Sequence, residues 1–106
     1  MRKYKVRKTN AFYQSVEAIH SYIFDKSRNI QVANHFTENL LNYPDLTFEY
    51  APLRGTLFIR NGKPYRKIPY SRNSEYFYIV EVDEMTRTVV VINLLHAKRN
   101  CSWYEY

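Results

Sequence analysis

The residues best able to do chemistry lie near the end of the chain, in HAKRNCSWYEY at positions 96–106. His96 can act as a general acid or base, and Tyr104 can take the other role. Arg99 there, and Arg66 earlier in the chain, could hold a phosphate and stabilise its added negative charge. These are the groups that RNA cleavage needs for attack of a 2′-hydroxyl on its neighbouring phosphate. A histidine without a catalytic role at the end of a strand explains His96 equally well.

Basic and aromatic residues form a second group, which is typical of surfaces that bind nucleic acid or an acidic macromolecule. The chain has 16 Lys and Arg against 10 Asp and Glu, and residues 54–72 hold six basic residues and no acid. Many of the eleven tyrosines could instead be ordinary packing residues of a sheet. The candidate binding residues are Arg54, Arg60, Lys63, Lys67, Arg72, Lys98, Trp103 and Tyr106.

Several common mechanisms have no support in the sequence, which lacks a glycine-rich phosphate loop, a G-x-S-x-G motif and an H-E-x-x-H motif. His20 and His35 have no third ligand at metal spacing, so neither a metal nor another cofactor is expected. The single cysteine, Cys101, permits no internal disulfide and favours a reducing, cytoplasmic setting. No run of 18 apolar residues occurs, so no membrane partner is expected.

Helices should follow a short first strand at residues 2–8, where apolar and basic residues alternate. The next segment should be a helix capped by Asn10 and fading near Asp25. DKSRN at 25–29 would connect it to an antiparallel second helix that Pro44 stops. The apolar stripes that predict these helices are Phe12, Val16, Ile19 and Ile23, then Val32, Ala33, Phe36, Leu40 and Tyr43.

The rest of the chain predicts strands. Residues 44–62 read as a loop with one short extended piece around residues 57–59. A three-stranded meander should follow at residues 63–70, 75–82 and 88–95. Pro69 favours an edge position for the first of these strands, and the apolar composition of the third favours an interior position. Both conditions are met by the strand order 63–70, 75–82, 88–95, 2–8. The prediction is one α+β domain over residues 1–106, a mainly antiparallel twisted sheet with an N-terminal helical hairpin on one face.

Residues 4–100 resemble the RelE/ParE superfamily of bacterial type II toxins. The resemblance rests on the order and spacing of several segments along the chain. They are YKVRKTNAF, AIHSYI, ANHFTENLLNYPD, APLRG and GKPYRKIPYSRNSEYFYIVEVDEMTRTVVVINLLHAKRN. The family's fold, a sheet with a helical hairpin, agrees with the one predicted from the residue patterns.

The resemblance implies a toxin that arrests growth until a cognate antitoxin protein neutralises it. ParE-like members inhibit DNA gyrase, whereas RelE-like members cut mRNA on the ribosome. Nuclease members usually carry an arginine that contacts the scissile phosphate where this chain has Phe77, and HAKR at 96–99 looks more ParE-like. The leading expectation is therefore a non-enzymatic gyrase inhibitor. The alternative is a ribosome-dependent mRNA endonuclease that uses His96, Arg99, Arg66 and Tyr104.

Overall fold

The structure is a computed structural model that describes residues 3–49, 55–71, 73 and 75–97. A first strand precedes two helices, and four further strands complete one sheet, which confirms the predicted α+β class. The elements are β1 (Lys5–Lys8), α1 (Asn10–Ser27), α2 (Ile30–Thr47), β2 (Thr56–Arg60), β3 (Lys63–Pro69), β4 (Tyr76–Asp83) and β5 (Thr88–His96).

The helical hairpin is tighter than the sequence predicted. Thr9, and not Asn10, caps α1, because its hydroxyl accepts a hydrogen bond from the Phe12 amide while donating to the carbonyl of Ile92 in β5. The helix continues past Asp25 to Ser27. Arg28 then turns into the left-handed region, and Asn29 caps α2 through its side-chain oxygen. The connection is thus two residues long, which fixes the helices as antiparallel neighbours.

The prediction that Pro44 stops the second helix is wrong, since α2 continues to Thr47. A proline inside a helix has no N–H group to donate a hydrogen bond to the carbonyl four residues earlier, which here belongs to Leu40. The hydroxyl of Tyr78 in β4 donates to that carbonyl at 2.8 Å, and both residues are fully buried. A side chain of the sheet therefore replaces the missing helical hydrogen bond, and α2 can contain the proline.

The sheet has the order β1-β5-β4-β3-β2, with β1 parallel to β5 and all other pairs antiparallel. The predicted order is confirmed, and β5 is an interior strand. The predicted edge position of the 63–70 strand is wrong, because the short extended piece is the edge strand β2. Among the described residues, each proline of β3 pairs with one neighbouring strand: Pro64 opposes Ile59 of β2, and Pro69 opposes Phe77 of β4. An interior strand can therefore contain both.

Apolar side chains cover both faces of the sheet. On the face that we call the helix face, Tyr78, Val80 and Val91 pack with Phe12 and Leu40 of the two helices in the main core. A smaller cluster on the opposite face, which we call the outer face, contains no helical residue among those described. Its members are Phe77, Ile79 and Leu95, with Phe58, Tyr65, Ile92 and Ala97 packed against them. Neither helix is long and apolar enough to cross a membrane, within the described part of the chain.

Candidate functional site

The outer face brings basic and aromatic side chains together through the register of β2, β3 and β4. Phe58 opposes Tyr65 with ring centroids 5.9 Å apart, and the next pair on the same face, towards the β2–β3 turn, is Arg60 and Lys63. Lys67 lies two residues beyond Tyr65 and so on the same side of β3. Three of the predicted binding residues, Arg60, Lys63 and Lys67, therefore share one face of the sheet.

Two contacts orient the lysines of the outer face. The Lys63 ammonium lies 3.1 Å from a carboxylate oxygen of Glu81 in β4, and this hydrogen bond and the carboxylate charge raise the pKa of Lys63. The Lys67 ammonium lies 4.5 Å from the centre of the Phe77 ring. An ammonium over an aromatic face is attracted by the ring quadrupole, so the buried Phe77 holds a positive charge at the surface.

Arg66 lies on the helix face of the sheet, whereas Arg60, Lys63 and Lys67 lie on the outer face. It pairs with Leu57 of β2 and Val80 of β4, and Val80 belongs to the core under the helices. Register partners point to the same side of a sheet. Arg66 and Glu84 line a shallow depression of about 160 Å³ there, at the end of the sheet next to β2.

His96 is the last residue of β5 and lies on the same face as Arg66, but two strands away from it. Its ring meets Tyr76 edge to face at 5.1 Å, Nε2 lies 3.5 Å from the carboxylate of Glu75, and only 11% of the side chain is exposed. Arg66 opposes Val80, whereas His96 opposes Tyr76, four residues along β4 and on its other side. Strand geometry then separates the Cα atoms of Arg66 and His96 by roughly 16 Å.

Between those two positions the helix face is closed. Tyr78 lies midway between Tyr76 and Val80 on β4, and its ring is fully buried against Tyr43, Phe48 and Phe12. A phosphate held by Arg66 would therefore be separated from His96 by the packed core. The structure does not bring these two candidate catalytic residues together.

The remaining candidates lie outside the described residues. Of the catalytic set these are Arg99 and Tyr104. Of the binding set they are Arg54, Arg72, Lys98, Trp103 and Tyr106.

Sequence reasoning missed the aromatic members of the outer face, Phe58 and Tyr65, and the acid Glu81. The signal was available in TLFIR and KPYRK, where alternation places Phe58 beside Arg60 and Tyr65 between Lys63 and Lys67. It could be used only once β2 was known to pair with β3. No group of three His, Cys, Asp or Glu that could hold a metal occurs among the described residues.

The arrangement of elements is that of a small α+β protein with a helical hairpin on one side of a sheet and a basic, aromatic surface on the other. The structure is similar to a chain of the chromosomal ParDE TA system from P. aeruginosa, with a TM-score of 0.69 and 9% identity, covering 88% of this chain and 95% of that one. It is also similar to a chain of the RelBE2 toxin-antitoxin complex from Mycobacterium tuberculosis, with a TM-score of 0.59 and 18% identity. This match covers 89% of this chain and 98% of that one. No protein-family model and no curated protein matches the sequence. The chain has the RelE/ParE fold, and the resemblance found in its sequence is confirmed at the level of the fold.

Proposed function

We propose that the chain is the toxin of a bacterial type II toxin-antitoxin module, that it arrests growth by binding and inhibiting DNA gyrase in the cytoplasm, and that a cognate antitoxin neutralises it. The toxin assignment is supported by the fold that the chain shares with the ParDE and RelBE2 chains over nearly its whole length. The choice of a binding mechanism is supported by the separation of Arg66 from His96 across the packed ring of Tyr78.

That separation matters because phosphodiester cleavage needs its acid, base and cation around one phosphate. A proton-transferring group must lie within about 3 Å, or one water, of the atom that it serves. Phe77 adds to the argument, because the sequence resemblance places it where nuclease members have their arginine, and it is 99% buried under Lys67. At that position the outer face has a buried aromatic ring with the Lys67 ammonium above it.

The outer face fits a binding role. Arg60, Lys63 and Lys67 give it positive charge, and Phe58 and Tyr65 give it aromatic area, the combination by which a protein surface recognises an acidic macromolecule. The likeness to the RelBE2 chain favours the second candidate, a ribosome-dependent mRNA endonuclease. That enzyme would depend on His96 together with Arg99 or Tyr104.

Induction of the protein in bacterial cells separates the two candidates. If the protein inhibits gyrase, DNA supercoiling is expected to stop first while translation continues. Its toxicity is then expected to fall in the double variant Lys63→Ala/Lys67→Ala. The matched variant His96→Ala, also at a sheet position but on the helix face, keeps the toxicity. Circular dichroism checks that both variants are folded.

The opposite pattern contradicts the proposal. In that pattern protein synthesis stops first and mRNA is cut at codon positions. Loss of these cuts in His96→Ala or Arg99→Ala would identify an endonuclease. Harmless expression of the wild-type protein would reject both candidates.

A further inference from the structure

We propose that Asn61, in the turn between β2 and β3, is a site of self-modification. Its side-chain amide reacts with the backbone nitrogen of Gly62 to form a succinimide, and water opens that ring to aspartate or isoaspartate. The reaction lowers the positive charge of the outer face as the protein ages. This inference goes beyond the proposed function, since the chemistry does not depend on the target of the chain.

The sequence at the turn supplies the two reacting groups. Of the nine asparagines in the chain, only Asn61 is followed by glycine. Glycine has no side chain to shield its amide nitrogen, and no heavy atom lies within 4 Å of the place that a Cβ would take on Gly62. The nitrogen is therefore open to approach by the side-chain carbonyl carbon of Asn61.

The hairpin leaves both groups exposed and outside its hydrogen-bonded ladder. Asn61 and Gly62 both have positive φ, as in a two-residue type I′ turn, and the ladder ends at the pair Arg60 and Lys63. Among the described residues, no hydrogen bond involves the Asn61 side chain or the Gly62 amide. Rotation about the Asn61 Cα–C bond must bring the two groups together, and at this exposed turn no packed side chain resists that rotation.

The other asparagines are held differently. Each of them precedes a residue whose side chain shields the attacking nitrogen. The side-chain oxygens of Asn29, Asn73 and Asn93 accept backbone hydrogen bonds, which fix these amides. Asn100 lies outside the described residues. Four more lie in helices, where the backbone cannot rotate freely: Asn10, Asn34, Asn39 and Asn42.

The reaction requires only the chain and water. The Gly62 nitrogen forms a bond to Cγ of Asn61 and gives up its proton, and the side-chain nitrogen leaves as ammonia. Water then breaks one of the two bonds between the ring nitrogen and a ring carbonyl carbon. Cleavage on the side-chain side gives aspartate in the original backbone. Cleavage on the backbone side gives isoaspartate, whose main chain contains one more methylene.

The two products differ in their effect on the hairpin. Aspartate is tolerated, because Asp-Gly suits a type I′ turn as Asn-Gly does. Isoaspartate lengthens the main chain of the turn, and the register of β2 against β3 depends on that length. Both products put a carboxylate between Arg60 and Lys63 in the sequence and lower the net charge of +6 by one. The outer face then attracts an acidic macromolecule less strongly.

Timed incubation of the folded full chain in mildly alkaline buffer tests the chemistry. Peptide mapping by mass spectrometry locates the mass change from NH2 to OH, and isoaspartyl methyltransferase labels the isoaspartate. We expect Asn61 to react before every other asparagine and to give both products. Asn61→Gly should show no modification at the turn, and it should fold because glycine accepts positive φ at no steric cost.

Elution from immobilised heparin, used as a polyanion, measures the effect on the outer face. Aged wild-type protein and fresh Asn61→Asp should elute at lower salt than fresh wild type, whereas ageing should not shift Asn61→Gly. Asn42→Asp is the matched control, because it adds the same charge at an exposed position of α2, and it should shift the elution less. The shift caused by Asn61→Asp should also be smaller in the Lys63→Ala background, which lacks a cation beside the turn.

An Asn61 that stays intact throughout, or that reacts later than another asparagine, would overturn the inference. Equal elution shifts in Asn61→Asp and Asn42→Asp, or the same shift on ageing in Asn61→Gly as in the wild type, would overturn it too. These outcomes are distinct from a failure of the proposed function. A chain that modifies Asn61 but leaves gyrase active loses only the proposed target, and one that inhibits gyrase with Asn61 intact loses only the modification site.

Discussion

Replacing Tyr78 with phenylalanine is expected to lower the free energy of unfolding by about 1–3 kcal/mol, the cost of leaving a buried hydrogen-bonding group without a partner. The acceptor is the carbonyl of Leu40, which receives the Tyr78 hydroxyl at 2.8 Å and cannot obtain a helical bond from Pro44. Leu40 is fully buried, so water cannot replace the hydroxyl without local opening. In a domain of this size each kcal/mol lowers Tm by about 5 °C.

A double-mutant cycle with Pro44→Ala isolates the mechanism. Alanine at 44 has the amide that proline lacks, and that amide can bond the Leu40 carbonyl. Tyr78→Phe should therefore cost about 1 kcal/mol less in the Pro44→Ala background than in the wild type. Urea unfolding followed by circular dichroism measures all four proteins.

Tyr43→Phe is the matched control, because the Tyr43 ring stacks on Tyr78 at a centroid distance of 5.5 Å. Its hydroxyl has no hydrogen-bond partner among the described residues. That variant should change the free energy of unfolding by less than about 0.5 kcal/mol. An equal cost of Tyr78→Phe in both backgrounds would refute the idea that this hydroxyl replaces the proline's missing amide.

Three further predictions concern the pH response and the turns. Burial, followed by two neighbouring tyrosines, raises the pKa of Tyr78 above its ordinary value of 10.0, so the folded state keeps a proton that the unfolded state loses. Stability is thus intact below about pH 10 and falls above it by up to about 1.4 kcal/mol per pH unit, a slope that Tyr78→Phe should reduce in alkaline urea titrations. Gly62→Ala should cost about 1–2 kcal/mol for its positive φ alone, and Gly55→Ala clearly more, since its Cβ would overlap the carbonyl oxygen of Lys67 in β3; comparable Tm values would contradict this. Glu81→Gln should return the raised pKa of Lys63 towards 10.5 in an NMR titration, and an unchanged value would mean that the carboxylate is not its cause.

The elements with a regular period could be predicted from the sequence. Phe12, Val16 and Ile19 are buried on α1 as their spacing indicates, and TVVVINLL forms an interior strand because it is apolar on both faces. Thr9 was missed as the cap because the bond that favours it over Asn10 includes the Ile92 carbonyl, 83 residues away. Local sequence does not contain such a partner.

The errors at the prolines have the same origin. Pro44 is compatible with α2 because Tyr78 lies opposite Leu40. Pro69 is compatible with an interior strand because, in the described part of the chain, the pairing of β3 with β2 reaches only as far as Lys67. The division of the candidate site also depended on pairing. Arg66 and Lys67 are adjacent in the basic segment 54–72, yet consecutive strand residues point to opposite faces, so only Lys67 belongs to the outer face.

The most direct test of the proposed function is a supercoiling assay with purified DNA gyrase, relaxed plasmid and this protein, run beside an mRNA-programmed translation reaction. Inhibition of supercoiling that is lost in Lys63→Ala/Lys67→Ala and kept in His96→Ala, with the mRNA intact, is the predicted result. Gyrase that remains fully active while ribosome-bound mRNA is cut would contradict it.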